Sequence, residues 1–276
     1  MYNKLSLVKG NLKIGHIKGG KYDGEHIYVD TTDDKNINQE FALDSGNIEP
    51  FYHGQGKFPN KYIITGASLC GKSYTAKQLA LDYHKQNPDN EVFLISGVPR
   101  TKDEVYNCAD CLKIIDKGNY EKDKKKMIDC KKCGFIKRLV FDEGELDENP
   151  LRGEDFDNSM IIFDDVEKIP YDDIVDNVLK FRDMLFRAGR HDKIAVISCN
   201  QNLLEGYKSK NINSNVQTLV IYPKGGTKFQ SSSFLKDYLK LNNKLISKIM
   251  DCPSRWIILN TTNPMYVLYQ RGAFLL

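Results

Sequence analysis

The segment Lys61-Tyr-Ile-Ile-Thr-Gly-Ala-Ser-Leu-Cys-Gly-Lys-Ser73 is the part of this 276-residue chain that indicates its fold most clearly. Its first part, Tyr62 to Thr65, is a short apolar run typical of a buried strand. The run continues as Gly66-x-x-x-x-Gly71-Lys72-Ser73, the P-loop pattern, in which glycines let successive backbone N–H groups point at a phosphate chain. We predict that this loop binds a nucleoside triphosphate.

An amphipathic helix is predicted after the loop, because Ala76, Leu79, Ala80 and Tyr83 follow the helical period. The helix adds the positive end of its dipole to the phosphate site. In such loops the lysine reaches the β- and γ-phosphates and the serine hydroxyl binds Mg²⁺. The predicted nucleotide-binding residues are Gly66, Ala67, Ser68, Leu69, Cys70, Gly71, Lys72, Ser73 and Tyr74, and Ser73 is also a predicted magnesium ligand.

A second apolar strand, Ser159 to Phe163, ends in Asp164-Asp165, which is the Walker B arrangement. Parallel strands deliver their carboxyl ends to the ligand crevice, so Asp164 is predicted to lie opposite Ser73 and to hold Mg²⁺. Asp165 is predicted to deprotonate the attacking water, with Glu167 as the alternative base.

Polar residues also end the next predicted strand, Ile194 to Ser198. There Gln201 is placed to contact the γ-phosphate or the attacking water, with Asn200 as second choice. Before that strand, Arg187 and Arg190 lie at the far end of a helix, where a cation favours the helix dipole. The alternative for either arginine is a finger acting on a neighbouring subunit.

Two Cys-x-x-Cys pairs, Cys108/Cys111 and Cys130/Cys133, lie between these strands, within an insertion at about 104–138. Each pair presents two thiolates to one metal ion, and together they predict a tetrahedral, structural Zn²⁺ site. The lysine-rich segment between the pairs, Glu121 to Lys126, is either a phosphate-contacting finger or a solvated loop.

The composition places this chemistry in a soluble, intracellular protein. Lys and Arg number 40 against 37 Asp and Glu, so the net charge of +3 leaves nucleic-acid binding to a local patch. No apolar run is long enough for a membrane span, and no signal peptide is predicted. We predict a β-hairpin extension at residues 1–58 and a P-loop ATPase domain at residues 59–276.

The order of P-loop, Asp164-Asp165, Gly189-Arg190-His191 and Gln201 resembles the genome-packaging ATPases of large nucleocytoplasmic DNA viruses, within the FtsK–HerA superfamily of DNA pumps. The resemblance implies an α/β, RecA-like P-loop NTPase fold of the ASCE type with a central, mainly parallel sheet. The cysteine pairs would be a small zinc-ribbon-like insertion in it. The resemblance further implies Mg²⁺-dependent ATP hydrolysis, with Lys72, Asp165, Gln201 and Arg190 as the catalytic residues.

The same resemblance implies the partners. The working form would be a homo-oligomeric ring, a pentamer or a hexamer, that threads double-stranded DNA into a capsid. Such a ring would meet a capsid portal or membrane-associated virion proteins. It would be found in the virion or in the virus factory of the host cytoplasm.

Three alternatives stay open at this point. A nucleoside kinase of the thymidine kinase type also joins a P-loop to four cysteines, but there the cysteines follow Walker B, whereas here both pairs precede Asp164. A plasmid-transfer or helicase-type ATPase would use the same chemistry on DNA outside a virus. A non-catalytic nucleotide switch would bind the triphosphate without steady turnover.

Overall fold

The computed structural model describes residues 2–32, 39–49, 51–52, 60–118, 120–204, 212–224 and 228–276, apart from the side chains of residues 120, 121 and 123. The chain forms two compact units. The first comprises residues 1–53, 62–70 and 201–276, and the second comprises residues 54–61 and 71–200. The predicted domain boundary after residue 58 lies outside the described residues and stays a prediction.

The first unit contains two groups of strands. An antiparallel sheet has the order β1-β3-β2-β5, formed by Tyr2–Ser6 (β1), His26–Thr32 (β3), Leu12–Lys18 (β2) and Asn47–Glu49 (β5). The other group has the order β4-β14-β13-β12-β11-β6, formed by Glu40–Ala42 (β4), Gly272–Leu275 (β14), Tyr266–Tyr269 (β13), Ile257–Asn260 (β12), Thr218–Ile221 (β11) and Lys61–Thr65 (β6). In this second group β11 and β6 run parallel, and the other neighbours run antiparallel.

The second unit is built on four parallel strands in the order β10-β9-β7-β8. The strands are Ala195–Asn200 (β10), Met160–Phe163 (β9), Val92–Ile95 (β7) and Ile136–Leu139 (β8). Every residue of β7 and β9 is buried, as expected for strands covered on both faces. The predicted α/β class with mainly parallel strands is confirmed. All four carboxyl ends meet at one edge of this unit's strands.

Helices account for most of the remaining regular structure. The second unit has Lys72–Gln86 (α1), Ala109–Asp116 (α2), Tyr120–Ile128 (α3), Glu145–Glu148 (α4) and Asp172–Ala188 (α5), and the first unit has Lys228–Asp237 (α6) and Asn243–Met250 (α7). In the part of the chain that the structure describes, no helix combines the length and the apolar character needed to cross a membrane.

The apolar period over residues 231–250 predicts one long helix, and this prediction is wrong. The helix is interrupted between α6 and α7, where Lys240 adopts a left-handed backbone with φ 54°. Asn242 then begins α7, and its side-chain oxygen accepts a hydrogen bond from the Leu245 amide at 3.0 Å. A capping asparagine satisfies an amide that the first helical turn leaves without a partner, which favours a new start over continuation.

Candidate active site

The first part of the predicted phosphate loop, Gly66 to Cys70, belongs to the first unit. A Cβ atom at Gly66 would lie 2.6 Å from the Cys70 sulfur and 3.0 Å from the Tyr222 Cβ, so the position accepts only glycine. The Cys70 carbonyl accepts a hydrogen bond from the Arg255 guanidinium at 3.2 Å. Leu69, at the tip, is fully exposed and has φ 62°, a left-handed conformation that a leucine rarely adopts. The chain path here is therefore sharply curved and points its tip into solvent.

The second part of the loop, from Gly71, belongs to the second unit and begins α1. Gly71 has φ 114° and ψ 18°, a conformation open to glycine, and its carbonyl accepts the first helical hydrogen bond from the Thr75 amide at 3.0 Å. Lys72 and Ser73 therefore lie in the first turn of a 15-residue helix, at the positive end of its dipole. This end of α1 is suited to binding an anion.

Asp164 lies directly after β9, and its backbone amide donates to the Ile95 carbonyl at 3.1 Å. Its side chain is buried and accepts a hydrogen bond from the Tyr106 hydroxyl at 3.0 Å, and the Ser73 and Cys199 side chains lie beside it. Burial raises the pKa of Asp164, the Ser73 side chain opposes this shift, and the neighbouring charge of Asp165 adds to it. The structure thus brings Ser73 and Asp164 together.

Two of these partners, Tyr106 and Cys199, were not predicted as site residues. Burial raises the pKa of both groups well above their ordinary values, and the Asp164 charge raises them further, so both keep their protons beside the carboxylate. The Lys72 charge lowers the Cys199 pKa, which indicates that the Lys72 side chain lies near Cys199. The register that pairs Ser198 with Phe163 would have indicated Cys199. No sequence signal indicated Tyr106.

Asp165, the predicted base, has a left-handed backbone with φ 51°. Its carbonyl accepts a hydrogen bond from the Gly97 amide at 3.2 Å, and its carboxylate forms an ion pair with Lys168 at 3.0 Å. The Asp165 side chain is 27% exposed, so water can reach it. Glu167, the alternative base, is exposed two residues further on. The acidic pair therefore consists of one buried and one accessible carboxylate.

Arg190 lies at the amino-terminal end of the parallel strands, opposite to the end that carries Asp164. It precedes β10, whereas Asp164 follows the parallel neighbour β9, and a four-residue strand separates these ends by about 13 Å. The pKa of Lys61 is lowered mainly by burial and also by the nearby charge of Arg190. The Lys61 ammonium donates a hydrogen bond to the Phe186 carbonyl at 2.5 Å. The Arg190 side chain is exposed and does not reach Asp164 of its own chain.

Gln201 follows β10 directly and is exposed. It belongs to the first unit, together with Gly66 to Cys70. Its convergence with the Asp164 site stays a prediction. Asn200, the second choice, ends β10, and its side-chain oxygen accepts a hydrogen bond from the Ser198 hydroxyl at 2.8 Å.

The four cysteines of the two predicted pairs form one cluster. Their sulfur atoms all lie within 4.8 Å of one another, with 3.6 Å between Cys108 and Cys130 and 3.5 Å between Cys111 and Cys133. Four thiolates at a Zn–S distance of about 2.3 Å in a tetrahedron lie about 3.8 Å apart. The cluster therefore fits a tetrahedral metal ion, and all seven cysteines of the chain are free thiols.

The turn at the second pair explains part of this geometry. The amides of Cys133 and Gly134 both donate to the Cys130 carbonyl, at 3.3 and 2.6 Å, which closes a tight knuckle. A Cβ at position 134 would lie 2.2 Å from the Ile128 carbonyl oxygen, so the knuckle requires glycine. The pairs are connected by α2 and α3, whereas a zinc ribbon would have β-hairpins there. The fully buried Met127 packs with Cys111 and Cys133 and forms much of the small core around the cysteine cluster.

No family model matches the chain. "Uncharacterized protein V3" of the Sputnik virophage is 26% identical over 276 residues, which cover 99% of both chains. The genome packaging NTPase B204 of Sulfolobus turreted icosahedral virus 2, solved with sulfate, is 12% identical over 76% of this chain and 94% of that one, with a TM-score of 0.46.

Two further solved structures are similar. VirB4 of Thermoanaerobacter pseudethanolicus is 10% identical over 85% of this chain and 96% of that one, with a TM-score of 0.45. The pCW3 conjugation coupling protein TcpA, solved with ATPγS, is 13% identical over 94% of this chain and 77% of that one, with a TM-score of 0.42.

Proposed function

We propose that this chain is a Mg²⁺-dependent ATPase that translocates double-stranded DNA and packages a viral genome into a capsid. The observation that carries the proposal is the proximity of the Ser73 side chain to the buried Asp164 carboxylate. It joins the last residue of the phosphate-loop pattern to the acid at the end of a buried parallel strand. A hydroxyl and a carboxylate at this position are the oxygen ligands that P-loop enzymes use for Mg²⁺.

The roles of the remaining residues follow from their positions. Lys72 and the loop Gly66 to Tyr74 would bind the phosphates, and Ser73 and Asp164 would hold the metal. Bound Mg²⁺ supplies positive charge to the β- and γ-phosphate oxygens. Asp165, accessible and paired with Lys168, would accept a proton from the attacking water, and Gln201 would orient that water.

Arg190 supports an oligomer. Because it lies a strand's length from Asp164 of its own chain, it can act as an arginine finger only on a neighbouring subunit. We propose a homo-oligomeric ring, a pentamer or a hexamer, around duplex DNA. The full-length similarity to a virophage protein supports a viral setting. A capsid portal or membrane-associated virion proteins would be the further partners, in the virion or the host cytoplasm.

The cysteine cluster is proposed to bind one structural Zn²⁺. The buried core around the cluster consists of Cys111, Met127 and Cys133. Because this core is so small, the metal would contribute most of the folding free energy of the segment. Elemental analysis of the purified protein is expected to find one zinc per chain, and replacing both Cys111 and Cys133 by serine should lower this to zero. A wild-type protein without bound metal would contradict the site.

DNA-dependent turnover tests the proposed function. We expect duplex DNA to increase the steady rate of ATP hydrolysis at low salt. The apparent affinity for DNA should fall with salt, with a log–log slope of about 0.9 per phosphate contact. The measurement is a coupled ATPase assay over a DNA titration at several salt concentrations. A rate that is indifferent to DNA at every salt concentration would contradict a translocase.

The same preparation separates the alternative functions. Transfer of phosphate from ATP to thymidine would indicate a nucleoside kinase and contradict the proposal. Tight nucleotide binding with no turnover would indicate a switch. We expect DNA-stimulated ATP hydrolysis without thymidine phosphorylation. A test of packaging itself then needs procapsids of the source virus as substrate.

A further inference from the structure

The Asp164 carboxylate has one partner that comes from outside the strands and α1. The Tyr106 hydroxyl donates to its Oδ2 atom at 3.0 Å, and both side chains are buried, with 6% and 4% exposed. Ser73 and Cys199, whose side chains also lie beside Asp164, are at the start of α1 and the end of β10. Tyr106 therefore fixes the carboxylate from a third direction.

The loop that carries Tyr106 is itself tightly held. Asp103 accepts the amide hydrogens of Val105 and Tyr106 through its Oδ1 atom, at 3.0 and 2.9 Å. The Oδ2 atom of Asp103 pairs with Arg138 of β8, and both side chains are at most 9% exposed. From α1, the Lys77 ammonium donates to the Val105 carbonyl at 2.6 Å. A buried ion pair and a helix thus hold this loop on two sides.

The same loop leads directly into the cysteine cluster. Asn107 donates to the carbonyls of Arg100 and Asp103 at 2.8 and 2.7 Å, and Cys108 is the next residue. The Arg100 guanidinium donates to the carbonyl of Met127, a core residue of the cysteine cluster, at 2.7 Å. The position of the phenol is therefore set jointly by β8, α1 and the cluster.

We propose that Tyr106 is a positioning residue that orients the Asp164 carboxylate for the divalent metal. This inference rests on the proposed function, in which Asp164 holds Mg²⁺. With Oδ2 engaged by the phenol and the side chain immobilised, the metal meets a carboxylate in one fixed orientation. Removing the Tyr106 hydroxyl leaves the packing of the ring unchanged but allows the Asp164 carboxylate to rotate.

The test uses the Tyr106→Phe variant and a metal readout that is independent of turnover. Mn²⁺ replaces Mg²⁺, and its binding to the full chain with a non-hydrolysable ATP analogue is titrated by electron paramagnetic resonance. We expect about 10-fold weaker Mn²⁺ binding, because partners that orient metal ligands typically contribute 10- to 100-fold to affinity. In the ATPase assay the half-saturating Mg²⁺ concentration should rise by a similar factor, while turnover at saturating Mg²⁺ recovers towards wild type.

Tyr83→Phe is the matched control. Tyr83 is also a buried tyrosine of the second unit, and its hydroxyl donates to the Asn158 carbonyl at 3.3 Å, away from Asp164. This variant should bind Mn²⁺ as wild type does. A second variant, Asn107→Ala, loosens the loop and keeps the phenol, so it should weaken Mn²⁺ binding in the same direction by a smaller factor.

The outcomes separate this inference from the proposed function. If wild type hydrolyses ATP and Tyr106→Phe binds Mn²⁺ as tightly as wild type, Tyr106 does not position Asp164 and the ATPase proposal stands. An equal loss in Tyr83→Phe would also overturn the positioning role, because it would show a general effect of losing a buried hydroxyl. A wild-type chain that neither binds Mn²⁺ with nucleotide nor hydrolyses ATP would overturn the proposed function and this inference with it.

Discussion

Replacing Lys72 by alanine is expected to reduce ATP turnover by about 10³-fold, to the detection limit of a steady-state assay. Lys72 lies in the first turn of α1, and its ammonium is close enough to Cys199 for its charge to act on the Cys199 pKa. It is the predicted group that meets the charge on the β- and γ-phosphates, and one lost donor of this kind typically costs 10²–10³ in rate. The loss of a full positive charge places the variant at the upper end of that range.

The matched control is Lys85→Ala, which removes an exposed lysine from the last turn of the same helix. It changes net charge and helix composition in the same way but lies at the opposite end of α1. We expect wild-type turnover from it. If Lys72→Ala hydrolyses ATP as fast as Lys85→Ala, the loop does not form the catalytic phosphate site.

Asp165→Asn is expected to slow hydrolysis by about 10²–10⁴-fold while leaving nucleotide affinity within about twofold of wild type. Asparagine removes the proton acceptor but tolerates the left-handed backbone of this position, at φ 51°, so the turn after β9 is retained. The affinity is preserved because Lys72, Ser73 and Asp164 remain. Single-turnover kinetics with a fluorescent nucleotide measure binding and hydrolysis separately.

Two companion variants define what Asp165 does. Asp89→Asn makes the same chemical change at an exposed position after α1 and should be without effect. Glu167→Gln should retain most of the activity. If instead Asp165→Asn is fully active and Glu167→Gln is slow, the base is Glu167. The ion pair between Lys168 and Asp165 would then serve only to stabilise the turn after β9.

Local patterns predicted the elements that carry the site. The strands β6 and β9, the helix α1 and the two cysteine pairs are each short stretches in which residue type and spacing determine the structure. The parallel arrangement of β9 and β10 follows from the order of the elements, because crossover connections through helices join parallel strands. The closeness of Ser73 and Asp164 is a consequence of that topology.

The residues that were missed depend on contacts between distant parts of the chain. Tyr106 lies in a loop that has no hydrophobic periodicity. Its position beside Asp164 depends on the buried ion pair of Asp103 and Arg138. The pairing of Asp165 with Lys168 was readable as an i, i+3 contact only once the turn after β9 was known. The interruption at Lys240 was hidden because the apolar period continues across it. Spacing within the sequence does not report such contacts.

In the proposed site, the loop at 66–73, the acidic pair at 164–165 and Gln201 surround one Mg²⁺-bound triphosphate. A structure of the chain with Mg²⁺ and a slowly hydrolysed ATP analogue tests it most directly. We predict the metal between the Ser73 hydroxyl and the Asp164 carboxylate, the γ-phosphate beside Lys72, and the Gln201 amide within hydrogen-bonding distance of that phosphate or its attacking water. A triphosphate bound elsewhere, or Gln201 remote from the γ-phosphate, would contradict the account.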